Sequence, residues 1–142
     1  MASLSQILWS IFGPGPSGIG QPIGQARACQ IMRRYNPNGL IGVEGGSVCM
    51  LEDVSDPDQR MYRIEYQSTP DGRHANAWVR HNPWGPVSDV HTINGGMICV
   101  GAGAHDTNPA CSPYDLETVI KKARFWCTAI SVYHETGEFP NP

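Results

Sequence analysis

One cysteine lies between two glycine-containing runs, a setting that suits covalent chemistry. Cys99 follows the segment Asn94-Gly95-Gly96-Met97-Ile98 and precedes Gly101-Ala102-Gly103-Ala104. A thiol among small residues is sterically open, and the backbone N–H groups of the second run can approach an acyl oxygen closely. The segment therefore suits acyl transfer through a thioester on Cys99. It also fits a small core cysteine, since free cysteine is among the most buried residue types.

Two further kinds of site remain open for the same cysteine. A zinc site would combine Cys99, His105 and Cys111, with His91 as a fourth ligand, but the long gaps differ from the short spacing of structural zinc sites. A nucleophile pair of the peptidase type would combine Cys99 with His91, His105 or His134. The sequence does not fix the geometry of any of these pairs.

The remaining polar residues give weaker signals. Three histidines are predicted to lie at the surface or to be satisfied in loops, namely His74, His81 and His134. Four carboxylates form a loop-like run that is predicted to be solvated and that lacks EF-hand spacing, namely Glu52, Asp53, Asp56 and Asp58.

Length and charge restrict the class of protein. The chain has 142 residues, with 10 Lys and Arg against 13 Asp and Glu, for a formal net charge of −3. This length suits one globular domain with a single core. The mild acidity argues against a nucleic-acid binder, which normally presents a basic face. No stretch approaches the roughly 20 apolar residues that span a bilayer, so no membrane partner is expected.

The cysteines indicate the compartment. There are 5, an odd number, at irregular spacing, and no secretion signal precedes them. Reduced thiols in a cytoplasmic protein fit this pattern best.

The first 20 residues are predicted to form a separate element. Leu4, Ile7, Leu8, Ile11 and Phe12 fall on one face of a helix, and no Lys or Arg precedes Arg27. We expect an amphipathic helix that docks on the protein itself or on a partner, rather than a signal peptide or a membrane anchor. Residues 13–24 contain five Gly and three Pro and are predicted to be a linker. The chain thus divides into residues 1–20 and a domain of residues 21–142.

Hydrophobic periodicity predicts the elements of that domain. A helix is expected from about Ile23 to Tyr35, ended by Asn36-Pro37. Four strands of an antiparallel meander are then predicted, at Leu40–Glu44, Ser47–Asp53, Arg60–Thr69 and Ala75–Arg80. Residues 81–98 are expected to be irregular, because Asn-Pro and Gly-Gly pairs interrupt them.

A long helix is predicted near the end of the chain. Ser112, Pro113 and Asp115 suit the N-cap, N1 and N3 positions, and the helix is expected to run to about His134. An apolar face is formed by Leu116, Val119, Ile120, Ala123, Cys127 and Ile130. The order of elements predicts an α+β fold, with helices at the ends or on one face of an antiparallel sheet.

The segment around Cys99 also resembles a known active site. Asn94-Gly-Gly-Met-Ile-Cys-Val100 is similar to the N-G-x-I-C-L stretch of ubiquitin-conjugating (E2) enzymes. A helix, a meander and a histidine precede the cysteine, and a loop and a helix follow it, as in that family. The resemblance implies an E2/UBC-like fold, in which an antiparallel four-stranded meander is flanked by helices, here with an extra N-terminal amphipathic helix.

The resemblance implies an acyltransferase that needs no cofactor and no metal. Cys99 would accept the C-terminal glycine of a ubiquitin-like protein from an E1-like activating enzyme and pass it to an amine of a target protein. His91 would hold the local loop, Asn94 would stand in for the family's asparagine, and Asp106 would gate the acceptor amine. Arg27, Arg33 and Arg34 would contribute to the surface that faces the activating enzyme.

The sequence departs from the family at one motif. Members usually carry His-Pro-Asn ahead of the cysteine, whereas this chain has His91-Thr92-Ile93 and a shorter gap. Shortened versions of this kind resemble the bacterial E2-like proteins of antiphage operons, either type II-short CBASS or ubiquitin-like conjugation operons. In a CBASS operon, the C-terminus of a cyclic-nucleotide synthase (CD-NTase) would replace the modifier. The alternatives are a catalytically inactive E2-like binding module and a small zinc-binding domain.

Overall fold

The computed structural model describes residues 22–85, 92–93, 96–98 and 114–140, and the predicted helix within residues 1–20 lies outside them. The described residues form an α+β fold of two helices and one antiparallel sheet, which confirms the predicted class. The elements are α1 (Gly24–Tyr35), β1 (Leu40–Glu44), β2 (Ser47–Ser55), β3 (Met61–Ser68), β4 (Ala75–His81), β5 (Thr92–Ile93), β6 (Met97–Ile98) and α2 (Leu116–Thr136).

The described sheet has six strands in the order β1-β2-β3-β4-β6-β5, and every neighbouring pair is antiparallel. The first four strands form the predicted meander. The prediction that residues 81–98 are irregular is wrong in part, because β5 and β6 form a short hairpin that extends the sheet beyond β4. Strands of two residues are too short to show a hydrophobic alternation, so periodicity does not reveal them.

The core lies between one face of the sheet and the two helices. Tyr62, Ile64 and Tyr66 alternate along β3 and are all fully buried, as their spacing predicts. Ala28, Ile31 and Met32 bring α1 into the same cluster. The whole predicted apolar face of α2 is buried there as well, namely Leu116, Val119, Ile120, Ala123, Cys127 and Ile130.

A turn between β3 and β4 holds the start of α1. The backbone N–H groups of Ile23 and Gly24 donate to the carbonyl of Asp71, at 3.1 and 3.0 Å. Gly72 has φ +73°, and a Cβ at this position would lie 2.9 Å from the nitrogen of Gly24. Glycine is therefore required in this turn both by its backbone angle and by the close approach of α1.

The N-cap of α2 differs from the prediction. The helix begins at Leu116, and the N-cap is Asp115 rather than Ser112, with its carboxylate accepting from Thr118 N–H at 2.9 Å. Ser and Asp are both good N-caps, so local chemistry does not choose between positions three residues apart. The helix continues to Thr136, past the predicted end at His134, and Gly137 closes it in the left-handed conformation.

Candidate functional site

The sheet holds the two residues that precede Cys99. Met97 pairs with Trp78 of β4 and with Ile93 of β5, and Val79 N–H donates to the carbonyl of Gly96 at 2.9 Å. Met97 and Ile98 are both buried, and Ile98 belongs to the core. The backbone that leads into the candidate site is therefore held both by the burial of these two side chains and by hydrogen bonds within the sheet.

The first described residue after Cys99 contacts the same strand. This residue is Tyr114, whose carbonyl accepts from Ala75 N–H at 3.3 Å. Ala75 and Trp78 are three residues apart on β4, which corresponds to roughly 10 Å along a strand. Met97 and Tyr114, the described residues that contact β4 before and after residues 99–113, thus lie beside the same strand.

The predicted site residues themselves, Cys99, His91, Asn94 and Asp106, lie outside the described residues. The same is true of His105 and Cys111, which the zinc alternative needs. Their assignment to a common site therefore stays a prediction.

Three other thiols are described, and two of them are poor nucleophiles. Burial raises the pKa of the Cys127 thiol far above its ordinary value, and the thiol is completely shielded from solvent. Burial, together with Glu65 and Glu44, also raises the pKa of Cys49. Since the thiolate is the reactive form, neither group suits nucleophilic chemistry at neutral pH. Cys29 lies half-buried on α1.

A buried lysine was missed by the sequence analysis. Lys122 of α2 is only 5% exposed, and its ammonium lies 5.1 Å from the ring centroid of Tyr114, the residue that ends the Cys99 segment. Burial lowers its pKa from 10.5 to about 8, because removal from water disfavours the charged form of the amine. The burial of Lys122 could have been predicted from the sequence, because Val119 and Trp126, one helical turn before and after it, are both apolar.

Two carboxylates that were predicted to be solvated are buried instead. Glu52 points into the core and accepts from Tyr66 Oη at 2.9 Å and from Arg124 Nη2 at 2.5 Å. Asp56 accepts from Arg60 Nε and from Ser131 Oγ, both at 2.6 Å. The prediction is wrong for these two because each has one partner on α2, Arg124 or Ser131, more than 70 positions away in the sequence. Asp53 and Asp58 are exposed, as predicted.

The Asp56 cluster joins the β2–β3 turn to α2. Ser131 Oγ and the Tyr62 hydroxyl are 2.7 Å apart, and Trp84 Nε1 donates to the Tyr62 hydroxyl at 2.8 Å. The guanidinium of Arg60 lies over the Trp84 ring, 4.5 Å from its centroid. The cluster is a polar support for the sheet and the end of the helix.

We expect Asp56→Asn to lower the free energy of unfolding by about 2 kcal/mol at pH 7, because it removes a charge that accepts several hydrogen bonds. Burial alone raises the pKa of Asp56, but hydrogen bonds from Ser131 and Arg60 outweigh it and lower the pKa from 3.8 to about 2. The unfolded chain therefore binds the proton first, and this stabilisation is lost as the pH falls from about 4 to about 2.

Urea denaturation at several pH values checks this expectation. The difference between wild type and variant should shrink as the pH falls below 4, whereas Asp58→Asn, an exposed change in the same turn, should have little effect. A difference that stays constant down to pH 2 would contradict the assigned hydrogen bonds.

The three arginines of α1 are exposed, as predicted, and each of them has an intramolecular acceptor. Arg33 Nη1 donates to the carbonyls of Pro37 and Gly39 at 2.9 and 3.0 Å. Arg34 forms an ion pair with Glu117 at the start of α2. Arg27 bonds only to Gln30 among these contacts. The basic face of α1 is thus partly used to tie the helix to its surroundings.

No group of three or more His, Cys, Asp or Glu side chains in the described part of the chain is arranged to hold a metal ion. No described helix is long and apolar enough to cross a membrane. Comparisons with protein-family models, with curated proteins and with solved structures found no match.

Proposed function

We propose that the chain is an E2-like conjugating enzyme, which carries a protein with a C-terminal glycine as a thioester on Cys99 and transfers it to an amine of a target. The support comes first from the sequence segment Asn94–Val100 and its likeness to the E2 active-site stretch. The described structure adds that the backbone just before Cys99 is held by β4, β5 and the core. Among the observations on the described structure, this anchoring is the one that favours the proposal most, because reacting groups must be held in a defined orientation.

The order of the described elements is compatible with the proposal. A helix precedes a four-stranded antiparallel meander, a segment with the cysteine follows, and a long helix comes after it. The E2 resemblance implies this order. The hairpin of β5 and β6 lies between the meander and Cys99.

The pKa values of two described thiols favour the choice of Cys99 indirectly. The pKa values of Cys127 and Cys49 are both raised, so we expect the reactive thiolate at one of the other cysteines. Cys99 is the one that combines a motif with flanking small residues.

The proposed reaction has two acyl-transfer steps. In the first, the Cys99 thiolate attacks the carbonyl carbon of the modifier's C-terminal glycine, which is bound as a thioester to an activating enzyme. A new S–C bond forms, and the activating enzyme's thiolate leaves and takes up a proton. In the second step, a target amine attacks the same carbonyl, an amide forms, and the Cys99 thiol leaves. No strong base is needed in the first step, since the incoming group is already activated.

The other candidate residues take their roles from the resemblance. His91 holds the local loop, Asn94 supports the oxyanion or the loop, and Asp106 orients the acceptor amine beside the cysteine. The modifier is a ubiquitin-like protein or the C-terminus of a cyclic-nucleotide synthase, and the setting is bacterial antiphage defence.

A thioester-exchange assay tests this function. The full chain is mixed with an excess of a peptide that ends in a glycine thioester, a probe that bypasses the activating enzyme. We expect a covalent adduct on a non-reducing gel that disappears when dithiothreitol is added, because a thioester exchanges with free thiol. The absence of any thiol-sensitive adduct would remove the enzyme proposal and leave the inactive binding module.

A further inference from the structure

The strand β1 forms an edge of the described sheet and carries exposed apolar side chains. Leu40 is 74% exposed and Val43 is 58% exposed, the two highest values among the large hydrophobic residues described. The five residues Leu40–Glu44 contain no Lys and no Pro, and β1 pairs with β2 without a bulge. Edge strands of natural proteins are usually protected by such features, and the one charge of β1 is Glu44 at its end, so the middle of the strand is suited to pair with another strand.

The hairpin turn defines which backbone groups of β1 face outward. Gly45 and Gly46 both have positive φ, +57° and +85°, and form a two-residue turn that Glu44 and Ser47 close. In such a hairpin the closing pair exchanges both hydrogen bonds, and every second pair along the ladder does the same. Leu40, Gly42 and Glu44 therefore bond to β2. Ile41 and Val43 point their N–H and C=O groups away from the sheet.

These outward groups are complementary to those of an identical strand. When two copies of β1 run antiparallel about Gly42, Ile41 of one copy lies opposite Val43 of the other. Each such pair exchanges two main-chain hydrogen bonds, which gives four in total, and joins two β-branched side chains across the strands. Gly42 falls on the symmetry axis, where the absence of a side chain allows the strands to approach without a clash.

The charges at the two ends of β1 also match in this arrangement. Arg33 lies at the start of the strand, where it donates to the carbonyl of Gly39, and Glu44 lies at its end. Antiparallel pairing places the start of β1 in one copy, where Arg33 lies, next to the end of β1 that carries Glu44 in the other, and symmetry repeats this juxtaposition. A parallel pairing would instead bring like charges together.

We propose that two copies of this chain associate through antiparallel pairing of β1, which joins their sheets into one. The interface is isologous and is centred on Gly42. Its specificity comes from the four main-chain hydrogen bonds and the two Arg33–Glu44 contacts, and its apolar contribution comes from Ile41, Val43 and Leu40. This association is independent of the chemistry at Cys99.

Analytical ultracentrifugation of the full chain, from micromolar to near-millimolar concentration, tests the proposal. We expect a reversible species with twice the mass of the chain. Val43→Pro removes an outward-facing N–H from each copy while leaving the bonds to β2, since proline is tolerated at a sheet edge when its nitrogen faces solvent. It is expected to weaken the association by about tenfold or more, equivalent to 1.4 kcal/mol. Circular dichroism verifies that the variant is folded, and Val43→Lys serves as the second variant.

The controls separate this interface from other apolar contacts. Met61→Lys changes another exposed apolar side chain, on β3, and should leave the association unchanged. Arg33→Glu should weaken it, and the addition of Glu44→Arg to that variant should restore it. A mass of one chain at every concentration would overturn the proposal, as would an association that neither Val43 variant affects.

Discussion

The Cys99→Ser variant is expected to lose the thiol-sensitive adduct completely in the exchange assay. A serine hydroxyl is far less nucleophilic than a thiolate at neutral pH, and any ester it forms does not exchange with dithiothreitol. The substitution changes one atom, so the fold should be retained. This loss is the largest effect that we expect on function.

The other cysteines provide matched controls for this result. Cys29→Ser and Cys111→Ser should keep the adduct, and the rate of its formation should stay within about twofold of wild type, since each leaves the proposed nucleophile in place. Cys29 is the most informative, because it is described, half-buried and on the surface helix α1. Persistence of the thiol-sensitive adduct in Cys99→Ser, together with its loss in one of the other variants, would assign the chemistry to another thiol.

The Arg124→Met variant is expected to lower the free energy of unfolding by about 4 kcal/mol, because it leaves a buried carboxylate without its cation. Glu52 is 5% exposed and accepts from Arg124 through Nε at 3.1 Å and Nη2 at 2.5 Å. Tyr66 is the other donor to this carboxylate, and burial raises its pKa well above the ordinary value. A neutral tyrosine cannot compensate for the missing charge.

A double-mutant cycle measures how much of this effect belongs to the pair. Adding Glu52→Gln to Arg124→Met removes the buried charge and keeps an acceptor for Tyr66, so it should recover more than half of the lost stability. Arg63→Met is the matched control, because Arg63 pairs with Asp53 on the exposed face, and it should change stability by less than about 1 kcal/mol. Additive single effects, measured by urea denaturation, would contradict a coupled buried pair.

The sheet of this protein was predictable where alternation extends over several residues. Tyr62, Ile64 and Tyr66 differ from their exposed or half-buried neighbours at every second position, and this fixes both the strand and the side that faces the core. The hairpin of β5 and β6 was not predictable in the same way. Its strands have two residues each, and their position depends on pairing with Trp78, a residue of another strand.

The errors in the polar residues have a common physical origin. Glu52 and Asp56 occur in an acidic run, and acidic runs are usually solvated, but α2 supplies Arg124 and Ser131 from more than 70 positions away. Lys122 shows the reverse case, since helical periodicity places it beside apolar residues although its charge suggests the surface. Local composition indicates that burying a charge is unfavourable, but it does not show whether a residue distant in sequence supplies the partner that compensates for it.

The assignment of the candidate site rests mainly on a sequence motif, whereas the fold is seen directly in the described residues. The segment before Cys99 predicts the nucleophile through a motif, and the described structure adds the contacts of Met97 and Tyr114 with β4. The relative positions of Cys99, His91, Asn94 and Asp106 depend on long-range packing that no local pattern encodes. Their roles therefore stay proposals carried by the resemblance.

Peptide mapping by mass spectrometry of the adduct with the glycine thioester probe tests the central claim most directly. Digestion at acidic pH preserves the thioester, so the modified peptide can be sequenced. The proposal predicts that the mass of the acyl group lies on Cys99 and that it is released by hydroxylamine. An acyl group found on Cys111 or Cys29, or as a stable amide on Lys122, with Cys99 unmodified, would contradict the proposal.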